Sequence, residues 1–423
     1  MIVADLHLHS KYSRAVSPLM TIPNLAQWAR IKGIDLLAAP DWTHPLFLKE
    51  LKKDLIKVGE GIFAYKKDKD GPRFILATEI SSIYTQGGKG RRIHNLILAP
   101  SFEAVDKINA ALVARGANLV SDGRPIIGLS SHSLVDLIFN IDKSCLVIPC
   151  HIWTPWFSLF GSKSGFDSIK ECFKEFASQI KAVETGLSSD PAMNWQVPEL
   201  DQRSIVSFSD AHSLQKIGRE VTVFEVEEIQ KLRYEDIVKA IDEQKIAYTV
   251  EFYPEEGKYH FTGHRKCQVR HSSEETKKLG KICPACGREL TVGVMDRVCQ
   301  LAGREINNRA LVVKNDFTQV KTIGYQNRPP YVMMVPLQEI ISETLKVGVS
   351  SKKVKNEYSQ LTENIGSEMN ILLRASFQEI AKISGKKMAL AIKKVREGDL
   401  VIDPGFDGLF GKVTIWGEKK KRH

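Results

Sequence analysis

Met1-Ile2-Val3-Ala4-Asp5-Leu6-His7-Leu8-His9-Ser10 is the stretch around which the rest of the chain is arranged. Apolar residues alternate over positions 2–8 with the period of a β-strand, so His7 and His9 project from one face of its end. That face offers two imidazoles to one ion. First-row metals take nitrogen and carboxylate donors, and strand ends at the mouth of an α/β structure are where such sites are built. Any further ligands must come from later strand ends.

From residue 1 to about 250, short apolar strands alternate with helical stretches. Strands are expected over 2–8, 36–39, 74–80, 93–99, 146–152, 182–184 and 205–209, with 221–225 also extended, and helices over 22–32, 45–58, 102–114, 134–140 and 169–179. This rhythm predicts an α/β fold, a β/α barrel either distorted or short of one strand, whose active site lies at the carboxyl ends of the strands. The polar residues fall there. Asp41 and His44 follow the second strand, Glu79 ends the third, and His94 lies within the fourth. His151 ends the fifth, Glu184 the sixth, and Asp210 with His212 the seventh. A lone histidine after a strand is ordinarily a core or surface residue, but His, Asp or Glu at six successive strand ends point to a metal centre.

The 423 residues suffice for two or three domains with cores of their own. A 43% hydrophobic, 26% charged composition is that of a soluble globular protein. No window approaches about 18 uninterrupted apolar residues, and no basic leader-like segment precedes the first strand, so no membrane association and a cytoplasmic, nucleoid-associated location are expected. The net charge of +10 and the run Lys419-Lys420-Lys421-Arg422-His423 favour a polyanionic partner. Seven cysteines are too few and too scattered for a disulfide framework. Cys145, Cys150, Cys172 and Cys299 read as isolated thiols.

Cys267, Cys283 and Cys286 instead belong to a second metal site. After residue 250 the strand–helix rhythm stops, and Cys283-Pro284-Ala285-Cys286-Gly287 has the form of a zinc knuckle. His264 and Cys267 repeat its two-residue gap, so His264 is the preferred fourth ligand and His271 the competitor. One structural zinc would fold a segment otherwise too polar to hold itself. The expected boundaries are a phosphoesterase barrel at 1–250, a zinc-ribbon-like module at 251–296 and a mainly helical, DNA-binding domain at 297–423. Helices in the last segment are expected over 298–304, 337–345, 351–360, 363–371, 377–383 and 388–396.

Two loops by the barrel mouth are candidates for nucleic-acid contact. Residues 85–92 form a Gly-rich basic loop with Lys89, Arg91 and Arg92 that can follow phosphates. Residues 152–163 place Trp153, Trp156 and Phe157 close to Lys163, aromatics that either stack on bases or close over the barrel as a hydrophobic lid. Arg265 and Lys266 extend the basic set into the zinc module.

The ordered motifs His7-x-His9, Glu79, His151 and Asp210-Ala211-His212 resemble the PHP (polymerase and histidinol phosphatase) superfamily. The resemblance implies a distorted seven-stranded barrel with a two- or three-metal centre of Zn, Mg or Mn that cleaves phosphoesters. Carried over, one ion is held by His7, His9, Glu79 and Asp210, and Glu79 bridges to a second held by His94 and His151. A third draws on His212, with Asp41, His44, Glu184 and Asp190 as further candidates. Two positions depart from the pattern. Arg14 stands where an acidic residue or histidine is common, and Pro40-Asp41-Trp42 replaces Thr-Asp-His, leaving His44 two positions late.

The whole-chain order, with His264-x-x-Cys267, Cys283-x-x-Cys286-Gly287 and a helical tail after the barrel, resembles the endonuclease Q family of DNA-repair enzymes. What this implies is incision 5′ to a deaminated base (uracil, hypoxanthine, xanthine) or an abasic site, with catalysis by His7, His9, Glu79, Asp210 and His212. A small-molecule phosphatase of the histidinol-phosphate type is the competing enzyme, and it needs neither the basic zinc module nor the tail. A non-catalytic DNA-binding or polymerase-associated module is the competing class, and it needs no complete ligand set. A sliding clamp is a conceivable partner, although no clamp-binding motif is evident in residues 409–423.

Overall fold

A computed structural model of the chain describes residues 1–226, 228–304, 306, 311–313 and 318–417, with the backbone alone at 311–313. The basic run Lys419–His423 lies outside the described residues. No described helix is long and apolar enough to cross a membrane.

The first strand, β1 (Ile2–Asp5), lies within the largest sheet, with Ile2 and Ala4 fully buried. The helix Ile22–Lys32 supplies the crossover that a parallel neighbour requires, and β2 (Leu36–Ala39) pairs in parallel with β1. Pro at the start of that helix and Gly33 at its end, in left-handed backbone, fix its limits. β3 (Asp68–Gln86) continues in parallel beside β2.

Here the structure departs from the expected rhythm. β4 (Lys89–Ala99) is antiparallel to β3 along its whole length, from Leu76 opposite Ala99 to Gln86 opposite Lys89. Gly87 and Gly88, both with positive φ, make the two-residue turn that suits the twist of a hairpin. With no helix between them, the strands must reverse. Residues 85–92, expected to be a loop, are the tip of this hairpin. Glu79, expected at a strand end, lies in the middle of β3.

β5 (Leu146–Pro149) is antiparallel to β4, while β6 (Ala182–Glu184) and β7 (Ser204–Val206) form a separate parallel pair. β8 (Val221–Phe224) returns antiparallel to β1, and β9 (Ile246–Glu251) is antiparallel to β8. The sheet then crosses residue 250. β9 pairs in parallel with Tyr331–Met333, which pairs with Thr322–Gly324. The first and last of the three expected segments therefore contribute strands to one sheet.

Residues 337–397 form helices Leu337–Leu345, Lys352–Asn364, Glu368–Leu373 and Phe377–Glu397. Ser351, Ser367 and Ser376 cap three of them by accepting an amide hydrogen bond. Gly385, at φ 81°, breaks the last helix near the gap expected between 383 and 388. Thr262–His264 and Val269–His271 make a short hairpin, against which the turn after Val401–Asp403 docks. Phe406 bridges Phe261, and Asp407 accepts from Arg265 N and Thr291 Oγ1.

Candidate metal centre

β1 stops hydrogen bonding in register at Asp5, but Leu8 makes one parallel bridge to Ala211, with His9 N donating to Ala211 O at 3.2 Å. This bridge sets His7 and His9 beside Asp210 and His212. Asp5 holds the loop that carries the latter pair, accepting from Ser209 N at 3.0 Å and Gly218 N at 2.9 Å. Asp41, His151 and Asp210 all adopt positive φ, at 49°, 30° and 46°. Such backbone costs roughly 1–3 kcal/mol per non-glycine residue and gathers where function holds it.

Glu79 is the hub. Its Oε2 lies 3.2 Å from His9 Nε2 and 3.8 Å from His7 Nε2, while Oε1 lies 3.3 Å from His151 Nε2 and against His94 Nδ1. Asp210 Oδ1 approaches His9 Nε2 to 3.2 Å and His7 Nε2 to 3.9 Å. Ligand-capable atoms fall into four neighbouring sets, His7/His9/Glu79, Glu79/His94/His151, His9/Asp210/His212 and His7/Cys150/Glu184, each within 4.8 Å.

A second layer orients these donors. Glu184 accepts from His7 Nδ1 at 2.8 Å and from His151 N at 2.8 Å. Asp41 accepts from His9 Nδ1 at 3.2 Å, Ser10 N at 2.6 Å and Ser13 Oγ at 2.7 Å. Both carboxylates, considered from sequence as further ligands, here turn the far nitrogens of His7 and His9 toward Glu79. His44 stands apart, stacked on Tyr12 at 4.4 Å with Nε2 3.2 Å from Val120 O. Asp190 caps a short helix through Met193 N.

The electrostatics keep the acids charged. Burial works against ionisation of Glu79, but His94, Arg124, His151 and His7 hold its pKa well below the usual carboxylate range. Asp210 is likewise depressed, burial being outweighed by His9 and His7. His7 and His9 are pulled down by burial and raised further by Glu184 and Asp41, respectively, ending well above the ordinary histidine value.

Two neighbours escaped sequence reading. Arg124 Nη1 donates to Glu79 Oε2 at 3.1 Å, from a loop whose Ser-Asp-Gly-Arg composition gave no chemical signal. Cys150 lies within reach of His7 and Glu184, yet its position before His151 read only as core.

Among the expected nucleic-acid contacts, Trp153 is corrected. It is fully buried, its Nε1 donates to Asn194 Oδ1 at 2.8 Å, and its ring packs on Phe160 at 5.0 Å. An indole so enclosed cannot stack on a base. Phe157 packs on His94 at 5.0 Å and Trp156 meets Tyr259 edge-on at 5.4 Å, so this loop lies against the cluster at Phe157 and against the 251–296 segment at Trp156. Arg91 bonds Gly165 O and lies over Phe166, bracing the loop. Lys89, Arg92, Lys163, Arg265 and Lys266 are exposed.

A second cluster brings together His264, Cys267, Cys283 and Cys286, with ligand atoms within 4.8 Å and Cys286 Sγ 3.3 Å from His264 Nδ1. His271, the competing ligand, is buried outside it. Gly287 at φ 70° closes the knuckle, donating its N–H to Cys283 O at 2.9 Å. Burial opposes it, but hydrogen bonds from His264 and from the amides of Ala285 and Cys286 lower the Cys283 thiol to about 6.

Residues 336–399 match the family described as the MJ0043 C-terminal domain. The uncharacterized protein MJ0043 of Methanocaldococcus jannaschii is 35% identical over 306 residues, 70% of this chain and 36% of that protein. The present chain thus spans about a third of that relative's length. The uncharacterized protein YqxK of Bacillus subtilis is 31% identical over 434 residues, covering 97% of this chain and 99% of the other. The crystal structure of the lesion-specific endonuclease PfuEndoQ from Pyrococcus furiosus matches with a TM-score of 0.82 at 30% identity, over 99% of this chain and 98% of that one. An endonuclease Q in complex with a 27-mer duplex bearing an abasic lesion at the active site matches with a TM-score of 0.82 at 31% identity, over 99% of each chain. The fold is thus shared over nearly its whole length with a lesion-specific endonuclease. The chain belongs to the endonuclease Q family.

Proposed function

We propose that the chain incises damaged DNA, hydrolysing the phosphodiester 5′ to a deaminated base (uracil, hypoxanthine or xanthine) or an abasic site. One observation carries this reading: the likeness to the abasic-lesion complex extends over 99% of both chains, and so includes both clusters and the helical tail.

The residues fit divalent ions. His7 Nε2, His9 Nε2, His94 Nε2 and Asp210 Oδ1 are buried, and none makes a hydrogen bond of acceptable geometry. Buried polar atoms are rarely left so without a compensating partner. His7, His9, Glu79 and Asp210 would hold one ion, Glu79, His94 and His151 a second, and His9, Asp210 and His212 a third. Bound divalent ions supply Lewis acidity and activate water near neutral pH.

The protein's own groups set the stage for this chemistry. Glu184 and Asp41 lock the imidazoles of His7 and His9 in one orientation. Arg124 uses one N–H on Glu79 and directs its remaining donors at a phosphate oxygen of the scissile diester. His212 has 35% of its side chain exposed, more than any other imidazole of the cluster, so substrate reaches it first. Phe157 and Trp156 exclude water from one side. Lys89, Arg92, Lys163, Arg265 and Lys266 grip the phosphate backbone. A lesion eases extrusion of its nucleotide by a few kcal/mol, which favours damaged over intact sites. A zinc held by His264, Cys267, Cys283 and Cys286 keeps its module folded, and a DNA substrate places the enzyme at the nucleoid in the cytoplasm.

The test uses duplex oligonucleotides with a single uracil, hypoxanthine or abasic site, each with Mg²⁺, Mn²⁺ or Zn²⁺, and maps the cut end. A nick on the 5′ side of the lesion, absent from the intact duplex, is the expected result. Cleavage of no lesion with any metal overturns the proposal.

A further inference from the structure

The loop that carries Asp210 and His212 is gripped from outside by the helical unit at the far end of the sequence. Lys32 ends the helix after β1 and is buried, 2% exposed. Its Nζ donates to Gln215 O at 2.8 Å, three residues past His212, and pairs with Glu368 Oε2 at 2.6 Å. Glu368 is itself 4% exposed and accepts from Tyr358 OH at 2.6 Å and from Leu337 N at 3.1 Å. Three helices of the unit therefore converge on one carboxylate, which holds one ammonium, which holds one carbonyl of the catalytic loop.

Packing seats the same joint. A Cβ at Gly33 would collide with Ser367 Oγ, and one at Gly218 would meet Met369 Cε at 3.6 Å, so the helix end and the loop both lie against the start of Glu368–Leu373. Lys216 and Glu339 add an outer ion pair of 2.7 Å, partly open to solvent. A cleft of about 890 Å³ separates the two bodies beside this joint, lined by Trp28, Ser213, Gln215 and Tyr358 among others. Apolar side chains on both sides, Ile34 and Met369 among them, belong to one buried core, and the ion pair is set into it. A buried ion pair is a weak source of net stability compared with apolar replacement, so its presence calls for a positional role.

We infer that Lys32 and Glu368 are positioning residues through which the helical unit of residues 336–399 holds Asp210 and His212 in the metal-binding geometry. This rests on the reading of those two residues as metal donors. Lys32 acts through Gln215 O, because its second and third N–H groups are free to reach the carbonyl once Glu368 has fixed the ammonium. Glu368 acts through Lys32. Neither touches a reacting atom.

The experiment compares the full-length protein with Lys32→Met, Glu368→Met and the double substitution Lys32→Met/Glu368→Met. Three quantities are read: melting temperature, Mn²⁺ affinity by calorimetry without DNA, and single-turnover incision of abasic duplex. Glu79→Gln identifies the Mn²⁺ heat that belongs to the cluster. Each single change strands a buried charge or its acceptors and lowers both melting temperature and Mn²⁺ affinity. The double change removes both charges, so melting temperature recovers in part, the Tyr358 hydroxyl and Leu337 amide still lacking their acceptor, yet Mn²⁺ binding stays about tenfold weaker because Gln215 O has no partner. Recovery of Mn²⁺ affinity and incision together with melting temperature would overturn the inference and leave a purely structural pair. If the wild-type chain binds Mn²⁺ but cuts no lesion, the DNA proposal fails and the Mn²⁺ series still decides the role of Lys32. Absence of a Glu79-dependent Mn²⁺ heat in the wild type overturns the inference along with the metal reading.

Discussion

The two donor clusters of this chain are built in opposite ways. His7 and Glu184 are 177 positions apart in sequence and meet as fully buried side chains, whereas His264 and Cys286 are 22 positions apart in a segment with little covering it. In the first, the sheet comes before the site: His7 and His9 are local neighbours, but β1, β3, β4 and the loop after β7 must pack before either meets Glu79 or Asp210. In the second the donors are neighbours from the start, and Leu279 and Ile282 lie more than half exposed beside them. A cluster made by a fold survives the loss of its ion as a set of placed donors, and a cluster that makes its own fold does not.

Glu79→Gln cuts deepest into this contrast. The amide keeps the shape of the hub but removes the charge shared by four imidazoles, so incision falls by about a thousandfold or more, several kcal/mol of transition-state stabilisation. Circular dichroism and zinc content of the Cys-His module stay at wild-type level. Loss of that zinc in Glu79→Gln would show that the two clusters are not independent.

Glu184→Gln tests the supporting layer and has a smaller effect. The group accepting from His7 Nδ1 and His151 N loses its charge, and cluster affinity for Mn²⁺ drops about 10–100-fold, as outer-sphere changes do. Titration calorimetry measures this. An unchanged affinity would mean that the packing around β1 alone aims the imidazoles.

Much of the buried cluster was legible because strand period and residue type coincided. His7, His9, His94, His151, Asp210 and His212 all fall where apolar strands end or turn inward, and the structure gathers them around Glu79. What the sequence hid has physical causes. Gly87-Gly88 permits a direct hairpin, so β4 runs opposite to the direction that a repeating strand–helix pattern implies. Arg124 reaches Glu79 across 45 positions from a turn, where neither period nor spacing announces it. The pairing of β9 with Tyr331–Met333 depends on contacts that no local pattern encodes. The Cys-His cluster was legible for the opposite reason, since its whole grammar is contained in two short gaps.

Cys283→Ser probes the self-made side of the comparison. With one thiolate gone, the zinc content of the chain falls from about one to near zero, and residues around the 262–291 module open to proteolysis. On the proposed role of Arg265 and Lys266 as phosphate contacts, incision drops about tenfold, mostly as a rise in KM, since the module then holds no reacting group. A fall in kcat with KM unchanged would instead place the module within the chemistry of the buried cluster.

The loop of residues 152–166 joins the two regions, and it gives the smallest effect. Phe157 packs on His94 at one end, Trp156 meets Tyr259 of the module side at the other, and Trp153 is sunk in the core between them. Trp153→Ala therefore costs about 3–5 kcal/mol of stability, the range for a large core aromatic, and lowers activity only as far as the protein unfolds. Trp156→Ala removes one half-buried edge-on contact, worth roughly 0.5–1.5 kcal/mol beyond its area, and changes incision less than about threefold. Thermal melts and nicking rates on uracil duplex separate these outcomes. Should Trp156→Ala abolish lesion incision at an unchanged melting temperature, the indole touches DNA, and the loop between the clusters is part of substrate recognition.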